Sequence, residues 1–146
     1  SLNQTKKSVQ LIDMERMFSG LDVVLVNLQY GDVDDEIREF KEETGIEVLQ
    51  CASVDNREDL DGLAALIEAC DMVVSTSNVT IHMAGALGKE TWVLLPFVFV
   101  NFWWLLKRTE SIWYPSLTLY RQPTLDDWDG VYASIRNDLV IKLQCN

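Results

Sequence analysis

Apolar residues along this chain switch repeatedly between two patterns. Short runs of branched apolar residues alternate with stretches where apolar residues recur every three or four positions. The first pattern suits strands buried on both faces, the second helices with one buried face. Leu11, Met14 and Phe18 stand at helical spacing, and Gly20 follows as a stop. Residues 23–28 then predict a strand, broken by Gly31. Asp34 or Asp35 can cap the next helix, Ile37 and Phe40 share its face, and Gly45 ends it. A weaker strand over 47–51 follows, then a helix striped by Leu60, Leu63, Ala64 and Ile67. Further strands are predicted over 72–75, 91–95 and 117–120. A helix over 78–87, closed by Gly88, follows the first of these. A last helix carries Val131, Ile135 and Leu139, with Asp126 or Asp127 as its cap. This order predicts an α/β fold, a Rossmann-like parallel sheet with helices on both faces. With no repeat and no linker, residues 1–146 read as a single domain.

Composition narrows the partners. The net charge is -11, which repels a phosphate backbone, so no nucleic-acid partner is expected. The same charge means that any anionic ligand needs local compensation. Cys51, Cys70 and Cys145 lie far apart without metal-ligand spacing, as suits thiols in a reducing compartment. Residues 1–10 are polar and do not resemble a secretory signal, so a cytoplasmic location is expected. The longest apolar run, 91–106, is broken by Pro96 and Asn101 and is too short to span a membrane.

The most informative stretch begins at Ser75-Thr76-Ser77-Asn78. A buried strand ends, hydroxylic residues turn the chain, and a helix starts. A helix start offers unpaired N–H groups and a positive dipole end, both suited to phosphate. In open α/β sheets, ligands bind beyond the carboxyl ends of the strands. The plainer reading makes Ser77 a helix cap only. His82, the only histidine, shares a helix face with Asn78, and it reads equally as a neutral donor or as a structural contact. Gly85 inside the helix suggests close packing against a strand. Neither a Walker loop nor a GxGxxG motif is present, which leaves dinucleotide and ATPase readings without their fingerprint.

The run Ser77-Asn78-Val79-Thr80-Ile81-His82-Met83-Ala84-Gly85-Ala86-Leu87-Gly88-Lys89, followed by Thr91-Trp92-Val93-Leu94-Leu95-Pro96, resembles the donor-site segment of heptosyltransferase-like GT-B glycosyltransferases. The resemblance is strongest to the version found behind tetratricopeptide repeats in bacterial proteins. Asn27-Leu28-Gln29-Tyr30-Gly31-Asp32, Trp113-Tyr114-Pro115-Ser116 and Asp127-Trp128-Asp129-Gly130 extend it over nearly the whole chain. The resemblance implies the C-terminal, nucleotide-sugar-binding half of a GT-B fold, lacking its first strand and belonging to a longer protein. It implies a donor site of Ser77, Asn78, Val79, Thr80 and His82 at the diphosphate. Lys7 and Ser8 would lie near the donor or the acceptor cleft, Gln29 and Tyr30 along the cleft, and Asp61 near the nucleoside. The nucleotide-sugar is then a substrate, and neither cofactor nor metal is expected. No catalytic residue is assigned, because the acceptor half supplies the general base. One departure concerns the loop after Pro96, where Phe97-Val98-Phe99-Val100-Asn101-Phe102-Trp103-Trp104 lacks the family's aspartate and arginine.

The expected partners are the donor and an N-terminal acceptor domain or repeats. A second copy contacting the aromatic loop 97–104 is a further expectation. The missing strand is expected between the strands at 23–28 and 72–75, which otherwise pair directly or accept another segment. The alternative function is a non-catalytic nucleotide-binding or protein-interaction module with the same fold.

Overall fold

The computed structural model describes residues 9–97, 104 and 108–145. Lys7 and Ser8 lie outside the described residues, as do Phe99, Phe102 and Trp103 of the aromatic loop. The elements alternate as α1 (Leu11–Phe18), β1 (Leu25–Val26), α2 (Asp34–Thr44), β2 (Val48–Leu49), α3 (Leu60–Ala69), β3 (Val73–Thr76), α4 (Val79–Ala86), β4 (Thr91–Leu95), β5 (Leu117–Arg121) and α5 (Trp128–Gln144).

Every pairing between named strands is parallel. The strands form two sheets, β1-β2 and β3-β4-β5. β1 and β3 do not pair, so the sheet is divided where an additional strand was expected. The pairing in β1 and β2 is shorter than the apolar runs suggest: two residues each, rather than 23–28 and 47–51.

Helices cover both faces, as a doubly wound α/β layout requires. On one face α1 and α5 bury Met17, Phe18, Val131, Ile135 and Leu139 against Trp92 and Leu94 of β4. Leu25 of β1 and Val74 of β3 pack on the same cluster, so both sheets share one core. α2 lies on this side too, where Ile37 and Phe40 meet Leu11, Leu25 and Val48. The opposite face is covered by α3 and α4, through Leu63, Ile67 and Ala84 against Val73. Central β4 is buried along its whole length, as expected of a parallel strand with neighbours on both edges.

Local signals explain most boundaries. Gly45 ends α2 in the left-handed conformation, φ 74°. Asp127 caps α5 by accepting the N–H of Gly130 at 2.9 Å, so the choice between Asp126 and Asp127 falls to the latter. α2 differs from expectation. Its cap position is Val33, which has no side-chain bond, and the carboxylate of Asp32 instead accepts the N–H of Asp34 at 3.3 Å. Among the described residues, no helix is long and apolar enough to cross a membrane.

Candidate functional site

The turn between β3 and α4 is closed by its own side chains. Asn78, not Ser77, is the helix cap: its backbone is extended (φ -154°, ψ -178°) and its Oδ1 accepts the N–H of Ile81 at 3.3 Å. Its Nδ2 donates to Ser75 Oγ at 2.8 Å. Ser77 Oγ accepts the indole N–H of Trp104 at 2.9 Å. Both polar atoms of Asn78 and one lone pair of Ser77 are therefore bound within the fold. Thr80 is buried under the first turn, whereas Val79 is 67% exposed. The N–H groups of Val79 and Thr80 open the helix and have no carbonyl partner within it. They sit at its positive end, at the carboxyl end of β3.

One turn further on, His82 is wedged between two aromatic rings. It stacks on Trp104 with centroids 5.5 Å apart and meets Tyr114 edge-on at 5.8 Å. Its Nδ1 lies 3.4 Å from the Tyr114 hydroxyl. Gly85 makes room for Tyr114, not for a strand: a Cβ at Gly85 would lie 2.5 Å from Tyr114 Cγ. Trp104 is itself 2% exposed, and its carbonyl accepts from Arg121 Nη2 at 2.6 Å. Trp104 is thus withdrawn from any contact surface offered by the loop, while Phe97 is half exposed.

Gln29 and Tyr30 lie just beyond β1 and line a second feature, a polar cleft of about 490 Å³. Asn27, Gln50, Asn56 and Arg57 are among the other residues that line it. Asn56 organises the cleft by donating to the carbonyls of Asn27 at 3.3 Å and Gln29 at 2.9 Å. Asn27 Oδ1 accepts the N–H of Gln29 at 2.9 Å. The N–H groups of Arg57 and Glu58 hold the Asp55 carboxyl below its ordinary range and fix the turn. Sequence reasoning missed Asn56 and Arg57, because a polar turn before a helix looks the same whether it lines a cleft or faces solvent. Asp61 is exposed on the first turn of α3 and does not line this cleft; Asp59 caps that helix through the N–H of Gly62 at 2.8 Å.

Fold and site together define a Rossmann-like α/β domain. It offers a helix start at one strand end and a polar cleft at the ends of two others. No family model matches the sequence, and no solved structure matches it. The chain is 40% identical over 117 residues to Protein FlbA of Caulobacter vibrioides, a stretch that covers 80% of this chain. The chain spans only 19% of the length of that relative.

Proposed function

We propose that this domain binds the nucleoside-diphosphate-sugar donor of a heptosyltransferase-like GT-B glycosyltransferase, which transfers the sugar once the domain is joined to an acceptor-binding half. The observation that carries this reading is the open first turn of α4, whose Val79 and Thr80 N–H groups stand at the carboxyl end of β3. Breaking a sugar–phosphate bond leaves a diphosphate whose negative charge grows in the transition state. N–H groups fixed in advance stabilise that charge more than they stabilise the bound ground state. The Ser77 hydroxyl still has its own proton to donate. Lys7, with Ser8, would bring a cation toward the diphosphate and offset the chain's charge of -11. Gln29 and Tyr30, with Asn56 and Arg57, would contact the donor away from the phosphates. Asp61 keeps a place in this reading only at the nucleoside, and His82 only as a wall.

A second reading has its own support. Ser77, Asn78 and His82 are occupied by bonds and stacking within the fold, as expected of a binding or interaction module without turnover. In that case a second copy would meet the loop through Phe97.

The test uses Val79→Pro in the full-length protein. Val79 is the first helical residue, where proline is favoured, and the extended Asn78 before it suits a following proline. The change therefore removes one N–H and leaves the helix. Calorimetric titration with ADP-, UDP- and GDP-sugars should find one donor that binds the wild type. Its affinity for the variant should fall by about 1.5–3 kcal/mol, the range for a hydrogen bond to a charged group. Equal affinity would show that the helix start is not the phosphate site.

A further inference from the structure

The hydroxyl of Ser77 is gripped from one side by a residue far along the chain. The indole N–H of Trp104 donates to its oxygen at 2.9 Å. Trp104 is buried, and its ring is stacked on His82. Its backbone is held as firmly. Arg121, the last residue of β5, donates to the Trp104 carbonyl at 2.6 Å and to the Pro96 carbonyl at 3.3 Å. Gln122, next in the chain and itself buried, accepts the N–H of Phe97 at 2.9 Å. The end of β5 therefore fixes both the chain leaving β4 and the indole that reaches Ser77.

A buried indole needs an acceptor, and a backbone carbonyl would serve. A hydroxyl differs from a carbonyl in carrying a proton of its own. A serine oxygen that accepts a fixed N–H cannot turn its proton toward that donor, so the proton is confined to the remaining directions. The bond also polarises the hydroxyl and makes it a better donor. The same arrangement recurs two residues earlier, where Asn78 Nδ2 donates to Ser75 Oγ at 2.8 Å. Among the described residues, neither serine proton is taken by an acceptor. Both serines thus accept within the fold and keep their protons, just ahead of the N–H groups that open α4.

We propose that Trp104, anchored by Arg121, is a positioning residue that fixes the Ser77 hydroxyl as a donor to the diphosphate. This rests on the reading of the start of α4 as the phosphate site. Trp104 acts through Ser77 alone. Without the indole N–H, the Ser77 proton spreads over three staggered positions and loses its polarisation. The resulting loss in anion affinity is about three- to tenfold.

The experiment measures inorganic pyrophosphate binding by calorimetry in the full-length protein. It compares the wild type with Trp104→Phe, Ser77→Ala, the two combined, and Val79→Pro. Phenylalanine keeps an aromatic ring against His82 and removes the N–H. Trp104→Phe weakens binding by about three- to tenfold, and Ser77→Ala by about tenfold or more. The combined variant binds no more weakly than Ser77→Ala. An equal loss from Trp104→Phe with and without Ser77 overturns the proposal, because a residue that only supports the fold acts in both backgrounds. A Trp104→Phe variant that binds like the wild type overturns it too. If that variant fails to fold, the indole proton resonance of Trp104 in the wild type decides. When Ser77 donates to the anion its oxygen accepts more strongly, so the resonance moves downfield at saturation. An unmoved resonance overturns the proposal. Val79→Pro separates the two levels of the argument. Weaker binding there, with none lost in Trp104→Phe, refutes the positioning role alone. Unchanged binding in both Val79→Pro and Ser77→Ala refutes the phosphate site, and the positioning role with it.

Discussion

The contact between Gly85 and Tyr114 allows a sharp test of how α4 is held in place. Replacing glycine by alanine inside a helix normally stabilises by up to about 1 kcal/mol, because the unfolded chain loses freedom. Here the new Cβ would lie 2.5, 2.8 and 2.9 Å from Cγ, Cδ1 and Cδ2 of Tyr114. Those atoms are near the base of the ring, not the tip of a flexible chain. The ring also leans on His82, and its hydroxyl lies 3.4 Å from His82 Nδ1, so it has little freedom to retreat. Overpacking of this kind costs about 1–3 kcal/mol. Gly85→Ala should therefore be neutral to destabilising by about 2 kcal/mol in the native background. In a Tyr114→Ala background the obstruction is gone, and the same change should stabilise by about 0.5–1 kcal/mol. Urea unfolding of the four proteins gives the coupling directly, expected at about 1–3 kcal/mol. If Gly85→Ala has the same effect in both backgrounds, within about 0.5 kcal/mol, then Tyr114 is not what requires the glycine.

Two further outcomes follow from the same geometry. Asp59→Ala should cost about 1 kcal/mol, since its carboxylate caps α3, while Asp61→Ala should stay within about 0.5 kcal/mol; equal costs in thermal unfolding would reverse the assignment of the cap. Burial, with Asp13 nearby, pushes the Tyr132 phenol up to about 12, so its stabilising contribution is intact below its ordinary value of about 10 and is lost as pH rises from there toward about 12. Tyr132→Phe should flatten alkaline unfolding over that window, and an unchanged slope would assign the effect to another group, such as Tyr120, whose phenol is also raised by burial and by its bond to Asp138.

What the sequence made legible depends on how local each cause is. The positions of the helices follow from stripes such as Leu60, Leu63 and Ile67, and the end of α2 from Gly45, because periodicity and a left-handed φ act over a few residues. The parallel sheet follows from the alternation of elements. The lengths of β1 and β2 do not, since pairing depends on which neighbour is present, and β1 has one neighbour only among the described residues. Ser77 and Asn78 are both good caps by type. Which of them serves was decided by the extended backbone at Asn78 and by Trp104 claiming Ser77. The reason for Gly85 lay with Tyr114, far along the chain, where no local pattern could reveal it.

The pairing of α1 with α5 bears on how the chain is made. Arg16 bonds Asp129 across 113 positions, and its carbonyl accepts from Arg136 across 120. Among the described helices of this stretch, the earliest to be synthesised thus finds its partner in the latest. Until α5 emerges, Met17 and Phe18 lack half of the cluster that buries them in the finished fold. At usual rates of synthesis that interval lasts on the order of ten seconds, long enough for exposed apolar surface to recruit a chaperone or meet another nascent chain. Ribosomes stalled before residue 128 should therefore display α1 undocked and open to protease, however stable the completed domain becomes.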